Sequence, residues 1–262
     1  MVNIVVCIKQ VPDPEVPASV YRIDEGGKRV LVPGAPPVLS PFDENALEAA
    51  LQLKDEHEGK ITVISMGQGL SKATLRKSLA AGADELILLE DELFWDADSY
   101  STAFTLATAM RKIAEYDLIF TGIQAADTNN GVVGPGIAEI LNMPIVTSAS
   151  KVELENSRLR VERIVSDGYE LIEVPLPALV TVSNQVGDLR PTDVRALMAA
   201  QKKPITTWNA EQLGIISPLT RRVKLHKLFI PKKEQACEIM PGETPEDAGV
   251  NLALKLRQVK II

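Results

Sequence analysis

Short runs of continuous apolar residues, rich in β-branched side chains, recur through the first two thirds of the chain with helical stretches between them. The runs are Ile4-Val5-Val6-Cys7-Ile8, Ile61-Thr62-Val63-Ile64-Ser65, Glu85-Leu86-Ile87-Leu88-Leu89 and Asp117-Leu118-Ile119-Phe120-Thr121. A strand that is apolar on both faces has to be covered on both faces, which is the condition of a parallel sheet flanked by helices. The covering helices are visible as apolar stripes of period 3.6. Ala46, Leu47, Ala49, Ala50 and Leu53 make one; Ala73, Leu75, Leu79 and Ala80 a second; Ala103, Leu106, Ala107, Met110 and Ile113 a third; residues 131–141 follow the last run. Strand and helix in alternation predict an α/β domain built on a doubly wound, mostly parallel sheet.

The texture changes near residue 150. Lys151-Val152-Glu153-Leu154-Glu155, a turn at Asn156-Ser157, Arg158-Leu159-Arg160-Val161-Glu162, a turn at Asp167-Gly168 and residues 169–174 alternate with period two. That pattern predicts a small antiparallel β meander over 148–175. Ala178-Leu179-Val180-Thr181-Val182 reads as a strand returning to the main sheet, so residues 1–184 are taken as one domain. Beyond Asn184 the periodicity fades until a helical pattern near 250–256. Residues 185–262 are therefore expected to form an extended C-terminal arm without a core of its own.

Charge separates along the same boundary. The chain carries 28 basic and 35 acidic residues, a net −7, which repels nucleic-acid phosphates and excludes nucleic-acid binding as the main task. Between residues 201 and 233, however, Lys202, Lys203, Arg221, Arg222, Lys224, Lys227, Lys232 and Lys233 face one acidic residue, Glu211. Such a stretch is either a solvated basic face or a segment that lies on an acidic partner, whose surface offsets the entropy of ordering it. The two cysteines, Cys7 and Cys237, are too few for a disulfide framework, and two histidines, His57 and His226, are too few for a clustered zinc site. Residues 1–9 have no basic lead or small-residue cleavage site, and no apolar run approaches the roughly 20 residues of a membrane helix. A protein without membrane insertion, in a reducing cytoplasm, is expected.

In a doubly wound sheet ligands sit beyond the carboxyl ends of the strands. The loop after the second run, Met66-Gly67-Gln68-Gly69, partly matches a dinucleotide fingerprint, but Lys72 stands where a third glycine belongs and the acidic ribose ligand would have to come from Glu90 or its neighbours. A tight strand-to-helix turn explains the same glycines. The loop 122–136 says more: four glycines, the amides Gln124, Asn129 and Asn130, and one carboxylate, Asp127, lie between a buried strand and a helix. Glycines let backbone N–H groups approach an anion, the helix dipole favours negative charge, and amides bond a base or ribose without adding charge. A phosphate-bearing nucleotide fits. His57 and His226 sit in polar stretches and read as exposed, Cys7 as a small core residue, Cys237 as incidental. No catalytic constellation is present, so any redox chemistry has to belong to a cofactor.

These residues resemble the β subunit of the electron transfer flavoproteins over essentially the whole chain. The anchors are Val5-Val6-Cys7-Ile8-Lys9-Gln10-Val11-Pro12-Asp13, Ser40-Pro41-Phe42-Asp43-Glu44-Asn45-Ala46-Leu47-Glu48-Ala49, Ile64-Ser65-Met66-Gly67, Gly122-Ile123-Gln124-Ala125-Ala126-Asp127 and Ala200-Gln201-Lys202-Lys203-Pro204. Val161-Glu162-Arg163, Asp167-Gly168, Glu170, Ile172, Pro177 and Thr181 match the family signature, with Ser166 standing where an acidic residue is usual. The resemblance implies a Rossmann-like domain of the adenine-nucleotide α-hydrolase type and an obligate α subunit carrying an electron-transferring FAD, embraced by the arm. It also implies a nucleotide in the β subunit. In one branch that nucleotide is a structural AMP; in the electron-bifurcating branch it is a second FAD, at which electron pairs from NADH are divided between a high-potential and a low-potential path, the latter ending in ferredoxin or flavodoxin.

Val133-Gly134-Pro135 resembles the bifurcating branch, where other members have Gln-Thr-Gly, so FAD is expected, with AMP the alternative and NADH the donor. Residues 128–132 depart from the Gly-Asp-Thr-x-Gln of that branch. Positions matching family nucleotide contacts are Cys7, Lys9, Ser40, Met66, Gly67, Gln124, Ala125, Asp127, Asn130, Gly131, Val132, Val133 and Gly134; Ser40 replaces a more usual Asn. The segment with Arg190, Val194, Arg195, Leu197 and Met198 corresponds to the loop that docks an acyl-CoA dehydrogenase or reductase, although Val194, Leu197 and Met198 equally make a stripe that packs on the chain's own core. No catalytic or metal-binding residue is implied. A stand-alone adenine-nucleotide sensor is the rival from another class, opposed by the long arm, and a nucleotide-activating ligase is opposed by the lack of a Ser-Gly-Gly-x-Asp-Ser loop.

Overall fold

The computed structural model describes residues 1–24, 26, 29–113, 115–156, 158–216, 219–231 and 237–262. The turn residue Ser157 and the basic pair Lys232 and Lys233 lie outside them. In chain order the elements are β1 (Val2–Cys7), four two-residue strands β2 (Gln10–Val11), β3 (Arg22–Ile23), β4 (Val30–Leu31) and β5 (Val38–Leu39), then α1 (Pro41–Glu56), β6 (Gly59–Gly67), α2 (Lys72–Ala81), β7 (Glu85–Glu90), α3 (Ser99–Lys112), β8 (Leu118–Gly122) and α4 (Val133–Leu141). They continue with β9 (Ile145–Glu155), β10 (Arg158–Val165), β11 (Gly168–Pro175), β12 (Ala178–Val182), α5 (Val194–Ala200), β13 (Ile205–Trp208) and α6 (Pro245–Gln258).

Nine strands form one sheet in the order β11-β10-β9-β12-β8-β1-β6-β7-β13. Every neighbouring pair from β9 to β13 along that order is parallel, and β9-β10-β11 are antiparallel. The expected meander is thus the edge of the main sheet. Strand alternation sorts the core into two layers. Ile4, Val6, Leu118, Phe120 and Val180 face one side with α1 and α2, while Val5, Ile64, Ile119 and Leu179 face the other with α3 and α4. Each fully buried side chain of this size contributes about 1.5–3 kcal/mol, which is why the continuous apolar runs demand helices on both faces.

The main departure lies in the arm expected from residue 185. Its segment Ile205–Trp208 pairs in parallel with β7, Ile205 opposite Leu86, and Ala200, Ala210, Leu213 and Ile215 are buried in the two cores. A four-residue strand is too short to show a period, so its membership in the sheet is invisible in the sequence. The first compact unit accordingly runs Met1–Leu228; Phe229–Ile262 is a second. In the second unit α6 starts with a capping box, Thr244 and Asp247 bonding each other's backbone N–H, and Lys255 pairs with Glu238 at 3.1 Å. Among the described residues no helix is long and apolar enough to cross a membrane.

The basic charge of 201–233 is partly consumed within the chain. Lys203 Nζ donates to the carbonyls of Leu79 (2.9 Å) and Ala83 (2.6 Å) at the end of α2, and Arg221 pairs with Asp96 at 2.9 Å. These side chains anchor the segment to the domain.

Candidate functional site

From β1 the chain winds outward through β6 and β7, then crosses back to place β8 on the other side of β1. The winding reverses between β1 and β8, and the crevice beyond their carboxyl ends is where such sheets hold ligands. Lys9 follows β1 and the loop 123–132 follows β8. Their side chains meet: Lys9 Nζ lies 2.6 Å from Asp127 Oδ2 and 2.8 Å from Oδ1. Below this pair sits Asp43, buried in the first turn of α1. Its Oδ2 accepts the Lys9 backbone N–H at 2.8 Å and its Oδ1 accepts that of Gly122 at 3.1 Å. Ser40, at the N-cap position of α1 but making no side-chain cap, is fully buried; its N–H donates to the Lys9 carbonyl at 2.9 Å and its hydroxyl accepts the Ala126 N–H at 3.3 Å. The hydroxyl thus supports the loop.

The starts of α2 and α4 decide between the two glycine loops. At α2 the donors are taken by the chain's own side chains: Ser71 Oγ accepts from Thr74, Gln10 Oε1 from Ser71 at 2.6 Å, and Glu90 Oε1 from Leu70 at 3.3 Å. Glu90 therefore closes the Gly67–Gly69 turn, and that end has little left for an anion. At α4 the N-cap is Val132, with no side-chain cap. The first N–H groups of α4 are left for solvent or a ligand, at the positive end of the helix dipole. Asn129 and Gly131 take left-handed backbone (φ 51° and 64°), which folds the loop back toward β8. Gly134 serves packing: a Cβ there would lie 2.6 Å from Thr121 Oγ1 and 3.0 Å from Thr181 Cγ2.

The other expected contacts gather around the same strand ends. Cys7 ends β1 and is buried, which pushes its thiol well above the usual cysteine range, with the Asp43 charge adding to the rise. Met66 and Gly67 end β6, Gln124 and Ala125 are half-buried, and Asn130 Nδ2 donates to Ser99 Oγ at 3.2 Å. The histidines stay apart from this site in their bonding. His57 is the C-cap of α1, half-buried where exposure was expected, and its Nε2 has no partner among the described residues; His226 is exposed. Among the described residues no cluster of metal-ligating side chains occurs.

Comparison with known proteins fits this geometry. Residues 30–213 match the family model described as the electron transfer flavoprotein domain. The chain is 39% identical over 265 residues to the electron transfer flavoprotein subunit beta of Thermoanaerobacterium thermosaccharolyticum, covering 99% of this chain and all of the relative. The chain belongs to the electron transfer flavoprotein β-subunit family. Similarity of the same order links it to the caffeyl-CoA reductase-Etf complex subunit CarD of Acetobacterium woodii (38% over 266 residues, 99% of this chain and 100% of the relative) and to the protein FixA of Azorhizobium caulinodans (36% over 274 residues, 99% and 96%). Electron transfer is the role of this family, and a flavin or related nucleotide is the group it implies. The residues present fit such a group: an uncapped helix start, a lysine and loop amides converge at the switch point.

In this family member the segment expected to dock a partner is anchored and exposed at once. Arg190 donates to Glu48 at 2.9 Å and pairs with Asp55 at 2.9 Å, while Asn45 Nδ2 donates to the Gly187 carbonyl at 2.6 Å, so α1 holds the lead-in. Beyond it, Val194 and Met198 are 73% and 69% exposed, Leu197 and Arg195 are exposed, and of α5 only Ala200 is buried. The apolar stripe does not pack on the chain's own core. A cavity of about 340 Å³ between α2 and α5, lined by Lys72, Arg76 and Lys77, lies beside it. Asp43 was absent from the residues expected at the site. A carboxylate in the first turn of a helix that also carries Glu44, Asn45 and Glu48 has no sequence signal that sets it apart.

Proposed function

We propose that this chain is the β subunit of an electron-bifurcating flavoprotein, holding FAD at the β1–β8 switch point and working with an α subunit. The observation that carries this reading is the uncapped start of α4, reached from the loop whose Asp127 pairs with Lys9 across the crevice, set against an α2 start that the chain caps itself. In this reading Lys9 and the first N–H groups of α4 balance the diphosphate, Gln124 and Asn130 orient the sugar or base, and Cys7, Ser40, Met66 and Gly67 shape the floor. Ala125, Gly131, Val132 and Val133 line the backbone approach to the nucleotide, and Gly134 seats α4 on the sheet behind them. The chemistry supplied by the bound group is acceptance of an electron pair from NADH and its division between a high-potential and a low-potential acceptor, the latter a ferredoxin or flavodoxin. The chain itself supplies no acid or base; it binds, orients and excludes water.

The relative named for a caffeyl-CoA reductase complex supports an acyl-CoA reductase or dehydrogenase as the high-potential partner, docked through Val194, Leu197 and Met198 with Arg195 beside them and Arg190 as their anchor. Residues from 185 onward are proposed to embrace the α subunit, and two unpaired cysteines suit a cytoplasmic setting. The deciding experiment is to purify the heterodimer, denature it and quantify released nucleotide. Two FAD per heterodimer are expected. One FAD with one AMP removes bifurcation and leaves a structural nucleotide, and one FAD with no second nucleotide removes the site itself.

A further inference from the structure

The two strands that frame the crevice stop pairing before they end. The β1–β8 ladder runs Ile4–Leu118, Val5–Ile119 and Val6–Phe120 and no further, although β1 continues to Cys7 and β8 to Gly122. Where the next rungs would form, the Asp43 carboxylate enters between the strands and takes one backbone N–H from each side, that of Lys9 at 2.8 Å and that of Gly122 at 3.1 Å. The fit is close: a Cβ on Gly122 would stand 2.7 Å from Asp43 Oδ1 and 2.7 Å from the Phe42 carbonyl carbon. Both carboxylate oxygens are used as acceptors, one for each strand.

We propose that Asp43 is the positioning residue of the nucleotide site, its carboxylate wedging the ends of β1 and β8 apart and so fixing Lys9 and the loop that follows Gly122. The inference rests on the nucleotide reading of the crevice; Asp43 is buried beneath the Lys9–Asp127 pair and acts through the two backbone segments. An acceptor is needed on both sides. An asparagine, or a protonated carboxyl, offers a donor on one side, leaves one strand end unheld and lets the crevice relax.

That requirement makes the site sensitive to pH in a definite direction. Burial pushes the Asp43 carboxyl up to about 7; the N–H groups of Lys9 and Gly122 and the Lys9 charge oppose the rise, and the Asp127 charge adds to it. The Cys7 thiol, kept neutral by burial and by the Asp43 charge, also faces it. Were Asp43 felt only as a charge, its ionisation would repel a phosphate and affinity would fall as pH rises. As a positioning group it acts in the opposite sense, since only the ionised form holds both strand ends.

The test uses the α–β heterodimer with FAD retained in the α subunit and the β-subunit nucleotide removed, and ADP-ribose as the probe, because its diphosphate diester keeps a constant charge near neutrality. Wild-type affinity is expected to rise several-fold between a pH unit below and a pH unit above the Asp43 midpoint. Asp43→Asn is expected to bind about tenfold or more weakly at the upper pH, and to show no rise. Affinity that falls with pH, or an Asp43→Asn heterodimer that binds and titrates like wild type, overturns the assignment. Loss of thermal stability in Asp43→Asn with wild-type affinity overturns it too, by making the carboxylate a fold element only. If the variant does not fold, the wild-type pH series decides alone. Absence of ADP-ribose binding by wild type at every pH fails the nucleotide reading instead, and the positioning role falls with it.

Discussion

Lys9 and Asp127 meet across the crevice with side chains 44% and 25% exposed, and a pair so placed contributes at most about 1 kcal/mol to folding. Its value lies in the charge it holds at the crevice. Lys9→Met is therefore expected to leave the melting temperature within a degree or two while weakening nucleotide retention about tenfold, read by the nucleotide that stays with the purified heterodimer after dialysis. Equal losses in stability and retention would return the pair to the fold. Asp127 was legible in the pattern because its loop follows an apolar run at the switch point, and Lys9 through the family resemblance. Asp43 was not, since a carboxylate in a helical first turn is ordinarily a dipole-favoured surface residue. Only the topology that brings Gly122 against Phe42 and Asp43 shows it to be buried. Gly134 was legible as a needed glycine, though for a different reason. It was read as letting backbone approach a phosphate, and its missing side chain instead lets α4 settle on Thr121 and Thr181.

At the scale of elements, that contact makes Gly134→Ala a test of how rigidly α4 is docked. The added methyl meets two branched side chains that are themselves buried, so a loss of about 1–3 kcal/mol is expected by denaturant titration. A loss below about 0.5 kcal/mol would mean that α4 shifts freely on the sheet. A second element-scale device joins α3 to the segment that follows β13. Asp98 caps α3 through the Ser101 backbone and hydroxyl and also accepts the N–H groups of Arg222 and Val223. Partial burial opposes it, but these four hydrogen bonds hold its carboxyl down to about 2. A carboxyl held below its unfolded value stabilises the strap above the ordinary carboxylate range, and that contribution is lost as pH falls from about 4 through about 2. Asp98→Ala removes cap and strap together. It is expected to cost about 1 kcal/mol and to expose the chain to trypsin after Arg221 and Arg222. An unchanged cleavage rate would show that the segment is held by other contacts. The long elements were readable from period alone. The two-residue strands β2 to β5 and the edge strand β13 were not, because fewer than about two periods leave no pattern to count; the stripe of α5 was visible, but not that it faces away from the core.

For the whole molecule the unresolved balance is apolar surface. The first unit leaves Val194, Leu197 and Met198 in water, and in the second unit Val250, Leu252 and Leu254 of α6 and Ile239 are 47–87% exposed, with no residue of α6 buried. Ordering some thirty residues costs roughly 1–2 kcal/mol each in backbone entropy, and a helix with no buried face returns little of it. With so little of itself buried, the second unit is expected to gain stability from a partner surface, and an α subunit is the candidate that family membership offers. Mass action then sets the expected size of the effect. An α subunit present at 100 times its dissociation constant adds about 2.7 kcal/mol to a state that only the folded chain can bind, which for a chain of this length raises the melting temperature by roughly 5–10 °C. The isolated chain is expected to bind a hydrophobic dye such as anilinonaphthalene sulfonate and to release it as the α subunit is titrated in, with protection from hydrogen exchange appearing across residues 245–258. If protection appears at 194–198 instead and α6 still exchanges freely, the partner surface of the α subunit is the α5 stripe, and the reductase must dock elsewhere.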